Sequence, residues 1–364
     1  MFSDHPPINL LDYEQLARDK LTRTIFDYFA GGSDDSITLR ENSAAYDRIR
    51  LRPRILVDVD QRNMETTLLG KTLSSPFIVA PMALAGMAHP DADIAIARGA
   101  DNTPVTISTL SSYSLEEIAE AAQSPLWFQL YVYRDRSITQ KLVERAEAAG
   151  YQALVVTVDG VVAGNRERDR RNEFKLPENV TLKNLYDAKL DRVIALPGAS
   201  SVAAYFSSQI DPSFSWKDLE WLRSITKLPI ILKGILRADD ARRAHNHGAA
   251  AIVVSNHGGR QLDTVPASID VLPEIAAEIG DAMPILLDSG IRRGTDVLKA
   301  LALGANAVMI GRPVMWGLAV DGEEGVRRVL EIIQEELDTA MALCGCPSLK
   351  DIDADLIWNS IREQ

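Results

Sequence analysis

The chain has 364 residues, 46% of them hydrophobic, enough for a large core that an α/β barrel can hold as one domain. Its formal net charge of −12 opposes nucleic acid and anionic membranes as general partners, so an anionic small substrate needs a local positive pocket. The two cysteines, Cys344 and Cys346, are spaced C-x-C, neither a zinc pattern nor a disulfide framework, which predicts structural thiols, no metal and a reducing, cytoplasmic setting.

Residues 1–9 carry no apolar signal core, and the longest apolar run, 77–88, is too short to span a bilayer. Apolar spacing predicts helices over 10–20 and 22–30, the second stopped by Gly31-Gly32, and a third over 34–46. Asp27-Tyr28-Phe29 puts a phenol just before that stop. Segments 51–54 and 57–69 read as extended chain that covers one end of the fold. From residue 77 a rhythm begins. Apolar runs of strand length occupy 77–80, 105–109, 127–131, 153–158, 230–233, 251–254, 285–288 and 307–310. Helical patterns over 91–100, 114–122, 139–149, 216–225, 238–245, 269–279, 294–302 and 323–343 alternate with them.

Eight strand–helix alternations predict an α/β fold, a closed (β/α)8 TIM barrel with a parallel inner sheet. The strands are continuous apolar runs, as burial on both faces requires. The expected organisation is one domain over 1–364: a helical prefix over 1–70, the barrel over 77–343, and an insertion over 160–215 after strand four. That insertion is polar, carries Arg166, Arg168, Arg170 and Arg171, and has a weakly patterned middle. A stretch of this kind predicts a lid, with part of 180–210 mobile over the barrel mouth.

Active sites of such barrels lie at the C-terminal ends of the strands. The organising stretch is Val253-Val254-Ser255-Asn256-His257-Gly258-Gly259-Arg260-Gln261-Leu262-Asp263, where a β-branched run ends in polar, glycine-rich chain. It offers a histidine suited to proton transfer and an arginine matched to a carboxylate. The other tips bring Pro81-Met82-Ala83, Ser108, Gln129 and Tyr131, Thr157 and Asp159, and Lys233. Strand seven adds Asp288, Gly290 and Arg292, and strand eight adds Gly311 and Arg312. Glycine and arginine after strands seven and eight match the phosphate site common in these barrels.

These motifs resemble the FMN-dependent 2-hydroxy-acid oxidase and dehydrogenase family, which includes lactate, glycolate and hydroxymandelate oxidases. The resemblance is carried by Phe26-Asp27-Tyr28, Ala80-Pro81-Met82-Ala83, Phe128-Gln129-Leu130-Tyr131, Thr157-Val158-Asp159, Leu232-Lys233-Gly234, the run Ser255 to Asp263 and Ile310-Gly311-Arg312-Pro313. It implies that His257 takes the substrate's proton with Asp159 supporting the imidazolium, while Tyr131 hydrogen-bonds the reacting oxygen. Arg166 and Arg260, helped by Tyr28, would clamp the carboxylate. Lys233 would sit beside the flavin edge that gains negative charge. Pro81, Met82, Ala83, Ser108, Gln129, Thr157 and Ser255 would hold the ring and ribityl chain, and Asp288, Gly290, Arg292, Gly311 and Arg312 the phosphate end. Leu110, where glycolate oxidases resemble one another in a bulky tryptophan, implies room for lactate or a larger 2-hydroxy acid. Ala83 resembles the oxidases, implying molecular oxygen as acceptor and hydrogen peroxide as product, with an acceptor-linked dehydrogenase as the alternative. A homo-oligomer of four or eight barrels is implied as well. An isopentenyl diphosphate isomerase-like barrel and a catalytically silent barrel are the remaining alternatives.

Other residues have structural readings. Tyr28 packing the prefix and Asp159 capping a helix compete with the roles above. Arg168, Arg170 and Arg171 read as a solvated or inter-subunit face, His89 as structural, His245 and His247 as surface, and Trp216 and Trp221 as outer core. Gly160 to Asn165 and Ser289 depart from the family's pattern, Ser289 standing where a glycine usually makes the phosphate turn.

Overall fold

A computed structural model describes residues 6–186, 188–190 and 201–358. The prefix forms α1 (Leu10–Lys20), α2 (Arg23–Ala30) and α3 (Ile37–Arg48). Asn9 caps α1 by accepting from Leu11 N and Asp12 N, and Leu10, Tyr13 and Ala17 bury one helical face. Thr22 caps α2, whose buried face is Phe26, Tyr28 and Phe29. No side chain of its own caps α3, where Ser36 adopts a left-handed φ of 57°. Instead Asp263, from far along the chain, accepts from Ile37 N at 3.1 Å and Thr38 N at 2.7 Å. A helix start that lacks a local acceptor is thus completed by the loop after the sixth barrel strand.

The barrel strands are β1 (Phe77–Val79), β2 (Val105–Ile107), β3 (Leu126–Leu130), β4 (Leu154–Thr157), β5 (Ile230–Ile235), β6 (Ala251–Val254), β7 (Ile285–Leu287) and β8 (Ala307–Ile310). They pair in sequential order, all parallel, and β8 closes on β1. Strand side chains alternate faces, so two apolar layers form. Ile78, Trp127, Val155, Ile231, Val253, Leu286 and Met309 fill the interior, and Leu68 and Leu73 of a short hairpin join that cluster. Val79, Phe128, Leu154, Leu232, Ile252, Leu287 and Val308 face the surrounding helices. This double burial is why the strands read as unbroken apolar runs.

The outer helices are α4 (Ala92–Gly99), α5 (Leu115–Ala121), α6 (Arg136–Ala148), α9 (Asp218–Ser224), α10 (Ala238–Asn246), α11 (Ser268–Ile279), α12 (Gly294–Ala302) and α13 (Arg312–Cys344), with α7 (Glu167–Arg171) and α8 (Ser201–Gln209) inside the insertion. Several boundaries differ from the sequence reading; α3, for one, starts at Ile37 rather than 34. Helix α6 starts at Arg136 rather than 139, because Asp135 accepts from Ser137 N at 2.9 Å. Helix α13 starts at the tip of β8 rather than at 323, with Pro313 in its first turn and a break at Asp321 and Gly322. Its first segment is so apolar that helical spacing is hidden, and Trp316 within it is fully buried.

The insertion is better anchored than its polarity suggests. The Tyr133 and Tyr205 hydroxyls lie 2.7 Å apart, and Phe206 sits edge-on to Tyr131 at 4.8 Å. Part of the segment expected to be mobile, residue 187 and residues 191–200, lies outside the described residues. Cys344 and Cys346 are buried and free. His89 accepts from Asp91 N at 3.2 Å, a structural role. His247 stacks on Trp216 with ring centres 5.5 Å apart.

Candidate active site

The strand period that builds the core also builds the site. Two residues beyond interior Trp127, Val155, Ile231 and Leu286 stand Gln129, Thr157, Lys233 and Asp288, still facing inward but polar. Ser108 follows Thr106 in the same way. They line a cavity with about 1090 Å³ of space, shared with Tyr28, Met82, Leu110, Tyr131, Arg166 and His257 among others. Pro81, Ala83, Arg260, Gly290, Arg292, Gly311 and Arg312 line it too. The insertion contributes Phe206. Apolar walls with converging polar groups at the strand tips suit a cofactor together with a small substrate.

The loop after β6 holds its shape against backbone preference. His257, Gly258 and Gly259 have φ of 58°, 65° and 72°, and left-handed backbone at a histidine costs roughly 1–2 kcal/mol. Compensation comes from many anchors. Ser255 Oγ accepts from His257 N at 3.0 Å, and Ser289 Oγ accepts from Gly258 N at 3.1 Å. Asn256 exchanges amide hydrogen bonds with Asn42 of α3 at 2.9 and 2.6 Å. Gln261 donates to the Asp159 and Val162 carbonyls, both at 2.8 Å, tying this loop to the one after β4. The unusual segment after Asp159 therefore docks on the loop after β6.

His257 Nδ1 lies 2.9 Å from Asp159 Oδ1. Burial raises the Asp159 pKa, but the opposing pull of His257 and Lys233 is larger in sum and holds it below the usual carboxylate range. An ionised carboxylate only accepts, so Nδ1 carries the proton and Nε2 is left as the acceptor. Burial lowers the His257 pKa more than Asp159 restores it, with Lys233 and Arg166 pushing the same way. The imidazole is thus neutral and basic at neutral pH. Asp159 packs against the bare backbone of Gly234, where a Cβ would approach the carboxylate carbon to 2.6 Å. That contact explains a glycine in the middle of β5. Among the described residues Asp159 caps no helix, and its Oδ1 pairs with His257.

Burial and the Asp159 charge raise the Tyr131 pKa, which keeps the phenol a donor. Arg260 donates to the carbonyls of Tyr28 at 2.6 Å and Gly31 at 3.2 Å, and its guanidinium lies 5.0 Å from the Tyr28 ring centre. Burial and neighbouring Arg166 push its pKa down to about 10, still a cation at neutral pH. Tyr28 stacks on Phe174 at 4.7 Å, so it both packs the prefix and borders the cavity.

Lys233 Nζ bonds Asp288 Oδ2 and Ser255 Oγ, each at 2.9 Å. Burial alone would lower its pKa, and Asp288 and Asp159 outweigh it. Ser255, expected among the cofactor contacts, is buried at the tip of β6, and its hydroxyl joins Lys233 Nζ to the His257 backbone N–H. Ser289, the departure from the family's glycine, keeps the turn by adopting φ 79°. Its hydroxyl donates to Asp288 Oδ1 at 2.8 Å while accepting from Gly258 N. Ser289→Gly relieves backbone strain but frees that amide. The expected result is a stability change under about 1 kcal/mol with a roughly tenfold slower reductive step, read by thermal melting and anaerobic stopped-flow absorbance. An unchanged rate would make the serine bridge dispensable.

The far end of the cavity fits a phosphate. Gly290 has φ 88°, and a Cβ there would overlap the Asn42 carbonyl. Among the described residues, neither Arg292 nor Arg312 has a carboxylate partner within 4.0 Å, and the same holds for Arg166 and Arg260. Burial lowers the pKa of both Arg292 and Arg312, with the neighbouring arginines adding to the effect at Arg312. Arg166 Nε is a buried polar atom without a partner. Four guanidiniums with no carboxylate in ion-pair range, and only the more distant charges of Glu14, Asp169 and Asp296 around them, are costly unless anions bind there. One phosphate and one carboxylate would supply them.

The chain matches the FMN-dependent dehydrogenase family over residues 17–359. It belongs to that family. The L-lactate oxidase of Nostoc sp. (strain PCC 7120 / SAG 25.82 / UTEX 2576) is 54% identical over 357 residues, covering 96% of this chain and 98% of that protein. Glycolate oxidase 3 of Arabidopsis thaliana is 48% identical over 346 residues, covering 94% of each chain. The crystal structure of mandelate oxidase with (S)-4-hydroxymandelic acid superposes with a TM-score of 0.92 at 45% identity, covering 97% of this chain and 98% of that one. As in the family, the cofactor is FMN. Among the described residues no helix is long and apolar enough to cross a membrane.

The sequence reading missed Phe29, Phe174, Phe206, Ile291 and Met315 as walls or supports of the cavity. Phe174 and Phe206 lie in the insertion, whose periodicity is too weak to aim a side chain. Ser289 was noticed only as a departure; nothing in a lone serine signals that its hydroxyl bridges two loops.

Proposed function

We propose that this chain oxidises L-2-hydroxy acids with side chains larger than that of glycolate, lactate or a bulkier homologue, with molecular oxygen as acceptor and hydrogen peroxide as product. The chain is an FMN-dependent 2-hydroxy-acid oxidase, and the oxidation removes two electrons and two protons from the alcohol carbon and its hydroxyl. The observation that carries the reading is the His257–Asp159 pair at 2.9 Å, whose imidazole lines the same cavity as Arg260, Arg166 and Tyr131. Arg260 and Arg166 bind the substrate carboxylate, with the Tyr28 ring beneath. Tyr131 donates to the oxygen that becomes the carbonyl. His257 Nε2 takes one substrate proton, and Asp159 steadies the resulting imidazolium. FMN, when bound, would accept the electron pair and the second proton. Lys233 supplies a fixed positive charge at the cavity floor, Gln129, Thr157 and Ser108 supply polar contacts along the wall, and Pro81 to Ala83 supply backbone beside the ring. Arg292, Arg312, Gly290 and Gly311 hold the phosphate, and Asp288 holds Lys233.

Leu110, buried at 3% exposure and lining the cavity, supports the preference for larger substrates. Oxygen consumption with glycolate, L-lactate and (S)-mandelate tests it. The expected order places glycolate last in kcat/KM; glycolate first would refute the substrate assignment, and dye reduction without oxygen uptake would refute the acceptor. Leu110→Trp fills the side-chain space. It should cost mandelate about tenfold or more, on the scale of 1–3 kcal/mol, while glycolate turnover stays within about threefold. Four or eight copies in solution, read by sedimentation, complete the proposal.

A further inference from the structure

The cavity adjoins a second cleft. The two share Gly290, Arg292 and Arg312, and the cleft, with about 1210 Å³ of space, runs outward between α1, α3 and the start of α12. Its lining includes Arg18, Arg40, Arg168, Arg292, Arg293 and Arg312. Against them stand Glu14, Asp47 and Asp296. Some of these charges are already answered from outside. Arg168 lies 3.6 Å from Asp27, and Arg293 lies 2.8 Å from Glu336. Asp296 lies 3.9 Å from Lys299 and accepts from the backbone N–H of Arg292 and Arg293. What remains is four arginines, at 18, 40, 292 and 312, facing Glu14 and Asp47. This local positive excess sits on a chain of net charge −12.

Arg18 and Arg40 are exposed, and among the described residues neither has a carboxylate in ion-pair range. Arg18 lies over the Phe26 ring at 4.8 Å, and Arg40 donates to the Asp35 carbonyl at 2.8 Å. They hold positions at the outer part of the cleft without being neutralised. Glu14 opposes them: its charge supports the protonated state of both Arg292 and Arg312 deeper in.

We propose that this cleft is the approach route of the FMN phosphate, with Arg18 and Arg40 drawing the anion in and Glu14 acting as a provisional counter-charge that the phosphate displaces. The proposal rests on the reading of Arg292 and Arg312 as the phosphate site. A phosphate monoester carries about −1.5 to −2 charges, so most of this surface repels it. A basic cleft concentrates it and raises its association rate, and added salt weakens the effect.

Association of the full-length apoprotein with FMN or riboflavin, followed by flavin fluorescence quenching, tests this. Arg40→Glu should slow FMN association about tenfold at low ionic strength and much less at high salt. Arg18→Glu provides a second reversal should Arg40→Glu misfold. Glu14→Gln should accelerate FMN association severalfold. Riboflavin, which lacks the phosphate, should respond less than about twofold to all three. Unchanged FMN rates in the reversal variants, or riboflavin shifts as large as those of FMN, would overturn the proposal. The underlying reading has its own measurement: Arg312→Met should erase the equilibrium preference for FMN over riboflavin. A preserved preference would overturn the phosphate site, whatever the association rates show.

Discussion

His257→Gln is expected to bind FMN normally and to lose the reductive step by roughly 10³- to 10⁴-fold, the range a positioned general base supplies. Glutamine keeps the polarity of the position and can still face Asp159, so the loop anchored by Ser255, Asn256 and Ser289 has no cause to unfold. What disappears is the free Nε2 lone pair. Anaerobic stopped-flow absorbance with L-lactate reads the rate, and the visible spectrum reads cofactor content. A variant that is reduced at the parent rate would remove His257 from the chemistry. The pH dependence has a definite sign. The base works only when neutral, and its pKa lies below the ordinary histidine value because burial outweighs Asp159. The acidic limb of kcat/KM should therefore fall below pH of about 6.5, and activity should be flat from there through neutrality. Asp159→Asn should flatten that limb and slow the reaction, since an amide cannot stabilise the imidazolium.

Arg260→Met is the second large effect. It removes one of the two cations proposed to face the substrate carboxylate. Loss of one partner of a sheltered ion pair costs about 3–5 kcal/mol, or roughly 10²- to 4 × 10³-fold in kcat/KM. The increase should fall mostly on KM. Arg260 also donates to the carbonyls of Tyr28 and Gly31, but Arg312 bonds Gly31 as well, at 2.9 Å, so the turn after α2 keeps a tether. Arg260→Lys should recover only part of the loss, because an ammonium lacks the planar fork. An unchanged KM in Arg260→Met would dismiss the clamp.

Much of the site was legible because barrel geometry converts sequence position into spatial position. A residue two beyond an interior strand residue faces the mouth, so Gln129, Thr157, Lys233 and Asp288 could be named before any fold was seen. The failures share a cause. Phe174 and Phe206 come from a segment with no period to extrapolate. The start of α13 was hidden because an apolar helix buried on all sides loses its spacing signal.

Local sequence alone determined the eight-fold alternation, the parallel barrel and the ring of polar tips, because two-residue strand alternation and helical spacing follow from short-range stereochemistry. Only the tertiary structure decided that Asp263 caps α3, that Asn42 pairs with Asn256, and that Ser289 joins the Lys233–Asp288 pair to the histidine loop. Those contacts link residues far apart in the chain, or exploit a backbone conformation that a serine or histidine adopts only when its surroundings offset the strain, and neither circumstance is written in any one stretch of residues.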